Sequence, residues 1–162
     1  MKVWLDTEFL DRHEDGRDVL LISLGAVRED GHTFYMESVD FDESMASPWL
    51  WKHVIPHLQG PRHTPARIAE KFLEFCGNNP EFWGYYCAWD WWLVCKLFGG
   101  FMKLPPTWPA WCNDINTLHV LQKYTRWNPP KQTTANHHAL NDAIWTRDAY
   151  NHLLDTACLT SP

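Results

Sequence analysis

The opening of the chain, Val3-Trp4-Leu5-Asp6-Thr7-Glu8-Phe9, constrains the fold more than any other stretch. Val3 to Leu5 read as a short buried strand, with two carboxylates following at once. Side chains at i and i+2 of an extended backbone share a face. Asp6 and Glu8 are therefore expected side by side at the end of an apolar strand. Two like charges so close repel unless a cation lies between them or one takes a proton. Paired hard oxygens are the usual seat of Mg²⁺ or Mn²⁺. Two solvated carboxylates after an edge strand are the competing reading, because acids are mostly exposed. The rest of the chain has to separate the two.

The next apolar stretches favour a sheet. Residues 19–28 (VLLISLGAVR) read as a central strand, and Gly25 inside it signals a bulge or a close backbone approach. Glu29-Asp30-Gly31 is a hairpin turn, and residues 32–38 return as a strand. Residues 10–18 are polar with Gly16, a loop or turn. The first three strands thus form an antiparallel meander. A short helix is expected over Pro48–Leu58. Another starts at the Thr64-Pro65 cap and carries Ile68, Phe72 and Phe75 at helical spacing up to Gly77.

Residues 81–88 (EFWGYYCA) read as an aromatic strand, followed by Asp90 and a helix that stops at Gly99-Gly100. A short strand over Ala110–Asn113, a helix capped by Asp114 through Leu118, Leu121 and Tyr124, a Pro-containing loop over 126–136 and a last helix from His138 to Leu154 complete the chain. The order β-β-β-α-β-α-β-α predicts a mixed α/β sheet of five strands with helices on its faces. Ligands in such sheets gather at the carboxyl ends of strands, where Asp6 and Asp90 fall.

Bulk properties narrow the function. A chain of 162 residues with no internal repeat or linker is expected to form one domain over 1–162. The formal net charge of -6 argues against coating long nucleic acid through a basic surface. It leaves open a nuclease that works on one strand end, because bound divalent cations invert the local field. Five Cys without a C-x-x-C pair, no signal-peptide core in residues 1–9 and no run long enough to span a bilayer predict a cytoplasmic protein with free thiols.

Three further residues bear on the acidic pair. Asp90 ends a strand and opens a helix, where an N-cap is the plain alternative. Asp142 lies on the last helix beside Ala139, Ala143 and Thr146, small residues that let a helix approach a sheet. His137 precedes Asp142 by five positions. Five helical steps set the two about 140° apart, so they serve one site only if His137 lies at the helix start or in the loop.

Together these residues make an ordered pattern: Asp6-x-Glu8, then Asp90, then His137-x-x-x-x-Asp142. In this the chain resembles the DEDDh group of 3′–5′ exonucleases, which have the RNase H-like fold. The stretches that carry the resemblance are Leu5-Asp6-Thr7-Glu8-Phe9, Ile22-Ser23-Leu24-Gly25-Ala26-Val27 and His137-His138-Ala139-Leu140-Asn141-Asp142-Ala143. Within the group it is most similar to the small stand-alone exoribonucleases of the mycobacterial type, through these stretches and Trp49-Leu50-Trp51-Lys52-His53-Val54-Ile55-Pro56.

The resemblance implies a two-metal mechanism. Asp6, Glu8 and Asp142 would hold one Mg²⁺ or Mn²⁺, Asp6 and Asp90 the second, and His137 would be the general base. It also implies contact of Thr7 and Phe9 with the 3′-terminal nucleotide of RNA, release of nucleoside monophosphates, and a homodimer. Trp49, Trp51 and Trp91 are candidate stacking surfaces, with core packing the alternative for each. Position 138 is also His where the tyrosine-using relatives place their tyrosine, which disfavours that variant; the five-residue spacing selects His137 over His138. The rival readings are the same chemistry on DNA, a non-catalytic nucleic-acid or protein-binding domain of this fold, and a nucleotide-binding or phosphodiesterase role on very short substrates.

Overall fold

The computed structural model describes residues 1–11, 19–121 and 128–159, the last four for their helix alone. Six strands, β1 (Lys2–Asp11), β2 (Val19–Arg28), β3 (Thr33–Ser38), β4 (Arg62–His63), β5 (Glu81–Gly84) and β6 (Asn113–Asp114), form one sheet in the order β4-β3-β2-β1-β5-β6. β1, β2 and β3 pair antiparallel, whereas β4, β5 and β6 join their neighbours in parallel. The helices are α1 (Pro48–His53), α2 (Pro65–Cys76), α3 (Ala88–Leu97), α4 (Ile115–Leu121) and α5 (Ala139–Leu159). The arrangement is that expected of an RNase H-like exonuclease domain. The expected strand count of five is corrected to six: the two-residue β4 pairs at Glu37↔Arg62 and Ser38↔His63, too short to show any alternation in sequence.

Strand alternation distributes the core over both faces of the sheet. Val3 and Leu5 of β1, with Ala26 and Phe82, pack against Ile68 and Phe72 of α2 and Leu93 and Val94 of α3. Trp4 and Val27 point the other way, onto Ala149 and Tyr150 of α5 and Ile115 of α4. Each such large side chain contributes roughly 1.5–3 kcal/mol by leaving water. A third cluster, Leu10, Ile22, Phe41, Leu50 and Val54, seats α1 at the far end of β1.

Several boundaries differ from the sequence expectation. β1 does not stop at Leu5, because β2 pairs with it from Val3↔Arg28 to Asp11↔Val19; Asp6 and Glu8 therefore lie within the strand. The irregularity in this pair falls between Glu8 and Phe9, not at Gly25. β5 ends at Gly84, where a Cβ would lie 2.4 Å from that of Cys87, and the chain turns back through Tyr86 at φ 53° into α3.

The expected strand over Ala110–Asn113 is β6, shifted to Asn113–Asp114. Pro56 stops α1 short, and a 3-10 turn over Ile55–His57 replaces its last part. The caps read as expected: Thr64 Oγ1 accepts the Arg67 N–H, and Asp114 Oδ1 accepts those of Asn116 and Thr117. Of the expected loop over 10–18, Leu10 and Asp11 belong instead to β1, and residues 12–18, like Tyr124, lie outside the described residues. Among the described residues no helix is long and apolar enough to cross a membrane.

Candidate active site

The acidic pair is built by β1. Asp6 and Glu8 share the face of Trp4, the one that α5 covers. Asp6 pairs across the ladder with Gly25, and Gly25 is where α5 lands. A Cβ at Gly25 would sit 2.2 Å from both the carbonyl carbon of Ala139 and the amide nitrogen of Leu140. The absence of that carbon, with fully buried Ala139 and Ala143, lets the first turn of α5 rest on the sheet and delivers Asp142 to Glu8. The close approach that Gly25 signalled in the sequence is this one.

Asp90 arrives from the other side of the strand. β5 pairs with β1 only over Lys2–Trp4, so β1 beyond Trp4 has an open edge. Thr7 fills it: its N–H and its hydroxyl both donate to Asp90 Oδ1, at 2.8 and 2.6 Å. Asp90 lies in the first turn of α3, and the helix cap is Cys87. The plain N-cap alternative for Asp90 is thereby set aside: the cap position is Cys87, and the Asp90 carboxylate holds the neighbouring strand.

His137 precedes α5 with a left-handed backbone, φ 62°. Its N–H donates to Asp142 Oδ2 at 2.9 Å. The 140° separation of an ideal helix is thus avoided by leaving His137 outside the helix. One ligand atom each from Glu8, His137 and Asp142 lies within 4.8 Å of the others. The His137 ring meets Trp49 edge-on at 4.7 Å and lies 5.7 Å from His53. The His138 ring instead stacks on Tyr35 at 4.4 Å, and its Nδ1 accepts the Asn141 N–H; burial lowers its pKa.

The electrostatics follow from this crowding. Burial first, then the charges of Asp90, Glu8 and Asp142, hold the Asp6 carboxyl well above the ordinary range. Burial and the charges of Asp142 and Asp90 push Glu8 up to about 8. Burial raises Asp90 to about 6 against the two bonds from Thr7. Asp142 is raised by burial and eased by donors from Gln132 and His137. Four acids so placed cannot all ionise at neutral pH without a cation. Hard oxygens with one imidazole, in a cavity of about 380 Å³, suit a divalent ion.

The sequence of the Rv2179c-like 3'-5' exoribonuclease domain family matches residues 1–154. The chain belongs to this family. It is 35% identical over 151 residues to the 3'-5' exoribonuclease Rv2179c of Mycobacterium tuberculosis (strain ATCC 25618 / H37Rv), covering 88% of this chain and 87% of that protein. The 3'-5' exoribonuclease MT2234.1 of M. tuberculosis (strain CDC 1551 / Oshkosh) matches with the same identity and coverage. Family membership fits divalent-metal dependence of the acid cluster.

The remaining expected residues divide. Phe9 and Trp49 line a second cavity of about 370 Å³ that shares Glu8 with the acid cavity. Trp51 is exposed on α1. Trp91 is not brought to the acids: its ring packs on Phe82 at 5.0 Å and its Nε1 donates to Ala110 O at 3.1 Å, so it is a wall residue of α3.

The acid cavity is also lined by Thr146, named beside Asp142 in the sequence, and by residues that sequence reasoning missed, Tyr85, Gln132, Asn136 and Trp145. Trp145 was available from its i+3 spacing to Asp142, which places it on the same helix face. Gln132 sits in a loop, where spacing carries no such signal.

Proposed function

We propose that this protein is a metal-dependent 3′–5′ exoribonuclease that removes nucleoside 5′-monophosphates from the 3′ end of single-stranded or overhanging RNA. The observation that carries the reading is the convergence of Glu8, His137 and Asp142, with Asp6 and Asp90 beside them, in a member of an exoribonuclease family. Asp6, Glu8 and Asp142 would hold one Mg²⁺ or Mn²⁺, and Asp6 with Asp90 a second. When bound, such a pair activates a water and offsets charge on attacking and leaving oxygens.

The chain's own part is placement and proton transfer. His137 takes the proton of the attacking water at its ring, a step that contributes roughly 10²–10⁴-fold in other enzymes. The bond from its backbone to Asp142 ties the position of the base to that of a ligand. The two bonds from Thr7, the neighbour of Asp6 in sequence, hold the Asp90 carboxylate against β1. Phe9 and Trp49, which line the adjoining cavity, would receive the terminal base there; stacking of this kind is worth ~1–3 kcal/mol per base. Buried free thiols at Cys76, Cys87 and Cys95 fit a cytoplasmic location. The exposed Trp89, Trp92 and Phe101 fit a homodimer.

The test is single-turnover digestion of matched RNA and DNA oligonucleotides in Mn²⁺ by the wild type, His137→Ala and His138→Ala. RNA is degraded faster than DNA, His137→Ala loses at least roughly a hundredfold in rate while still binding Mn²⁺, and His138→Ala is milder. Preference for DNA overturns the substrate assignment, and the opposite order of the two variants overturns the choice of base.

A further inference from the structure

The loop that precedes His137 is fastened to α5 at three points. Trp145 Nε1 donates to Pro130 O at 2.7 Å, Asn141 Nδ2 donates to Ala135 O at 3.1 Å, and between these pins Gln132 Nε2 donates to Asp142 Oδ1 at 2.5 Å. Pro129 and Pro130 stiffen the segment by fixing φ. Asn141, Asp142 and Trp145 share a helix face, so the loop is laid along α5 in a single register.

Gln132 stands at a boundary. It lines the acid cavity and also a groove of about 210 Å³ beside Lys131 and Thr134. Its amide meets one Asp142 oxygen while the His137 N–H meets the other. Each carboxylate oxygen keeps a second lone pair, so a donor on each oxygen fixes the plane of the carboxylate without closing it to a cation. Nothing else described on the loop side of Asp142 supplies that second donor.

We infer that Gln132 is a positioning residue that orients Asp142 for metal binding from outside the ligand set. Partners of this kind, hydrogen-bonded to a metal-ligating carboxylate, typically change metal affinity or activity 10–100-fold when removed. The inference rests on the proposal that Asp142 is a metal ligand.

The test is titration of the full chain with Mn²⁺ by calorimetry, without RNA, for the wild type, Gln132→Ala and Gln132→Met, together with the urea midpoint of each. Methionine keeps the length and shape of glutamine and removes the donor. Both variants are expected to weaken Mn²⁺ binding roughly tenfold or more, while Gln132→Met keeps the wild-type urea midpoint. Wild-type affinity in Gln132→Met overturns the inference and leaves the metal site standing. Tighter binding in either variant also overturns it, because the amide would then be competing with the ion. No Mn²⁺ uptake by the wild type overturns the metal reading and this inference with it.

Discussion

Glu8→Gln is expected to make the metal-free protein more stable while weakening its response to metal. Glu8 is buried, and its carboxyl is held at about 8 in the fold against 4.5 in an unconstrained chain. The folded state therefore binds this proton more tightly than the unfolded one. Stability from this group is fully present below about pH 4.5, falls by about 1.4 kcal/mol per pH unit above it, and levels off near pH 8. At pH 7 the accumulated cost is about 3 kcal/mol.

A neutral, isosteric amide removes that cost. In EDTA at pH 7–8 the variant should gain about 1–3 kcal/mol, or roughly 3–10 °C in Tm for a chain of this size. At pH 5 the two proteins should nearly coincide. Adding Mn²⁺ should stabilise the wild type by mass action and the variant less, because only the ion held by Asp6, Glu8 and Asp142 loses a ligand. Urea unfolding at pH 5, 7 and 8, with EDTA or Mn²⁺, measures all of this. A variant less stable than wild type at pH 8 in EDTA, or one with the same dependence on pH, would refute the claim that crowded acids store this energy.

Two further variants probe how the site is assembled. Gly25→Ala places a carbon 2.2 Å from the α5 backbone, so the helix must move; a loss of about 1–3 kcal/mol is expected, with activity lost because Asp142 moves too, and retention of both by chemical unfolding and RNA digestion would show that the helix does not rest there. Thr7→Val keeps volume and deletes the 2.6 Å donor to Asp90. Because Asp90 ionises at about 6, the loss of about 1–2 kcal/mol should appear at pH 8 and shrink at pH 5 in EDTA, and a loss independent of pH would mean that the hydroxyl does not support that charge.

Much of this was legible in the sequence, for identifiable reasons. Strand parity put Asp6 and Glu8 on one face, and a glycine in an apolar strand with small residues around Asp142 announced a helix lying close to the sheet. Caps at Thr64 and Asp114 read correctly because capping is local chemistry. What was not legible depends on contacts remote in sequence. β4 exists through pairing alone, with two residues, and pairing with β5 likewise set the bounds of β6 at Asn113–Asp114. Position alone left an N-cap open for Asp90, because its partner Thr7 is 83 residues away. The left-handed turn at His137 has no composition signal, and Gln132 reaches Asp142 only because tertiary pins fix its loop.

The most direct test of the central claim follows RNA with a 3′ or a 5′ label through digestion in Mg²⁺, in Mn²⁺ and in EDTA. The 3′ label should leave at once as a mononucleotide, the 5′-labelled strand should shorten stepwise, and EDTA should stop both. Release of the 5′ label first, or digestion unaffected by EDTA, would contradict it.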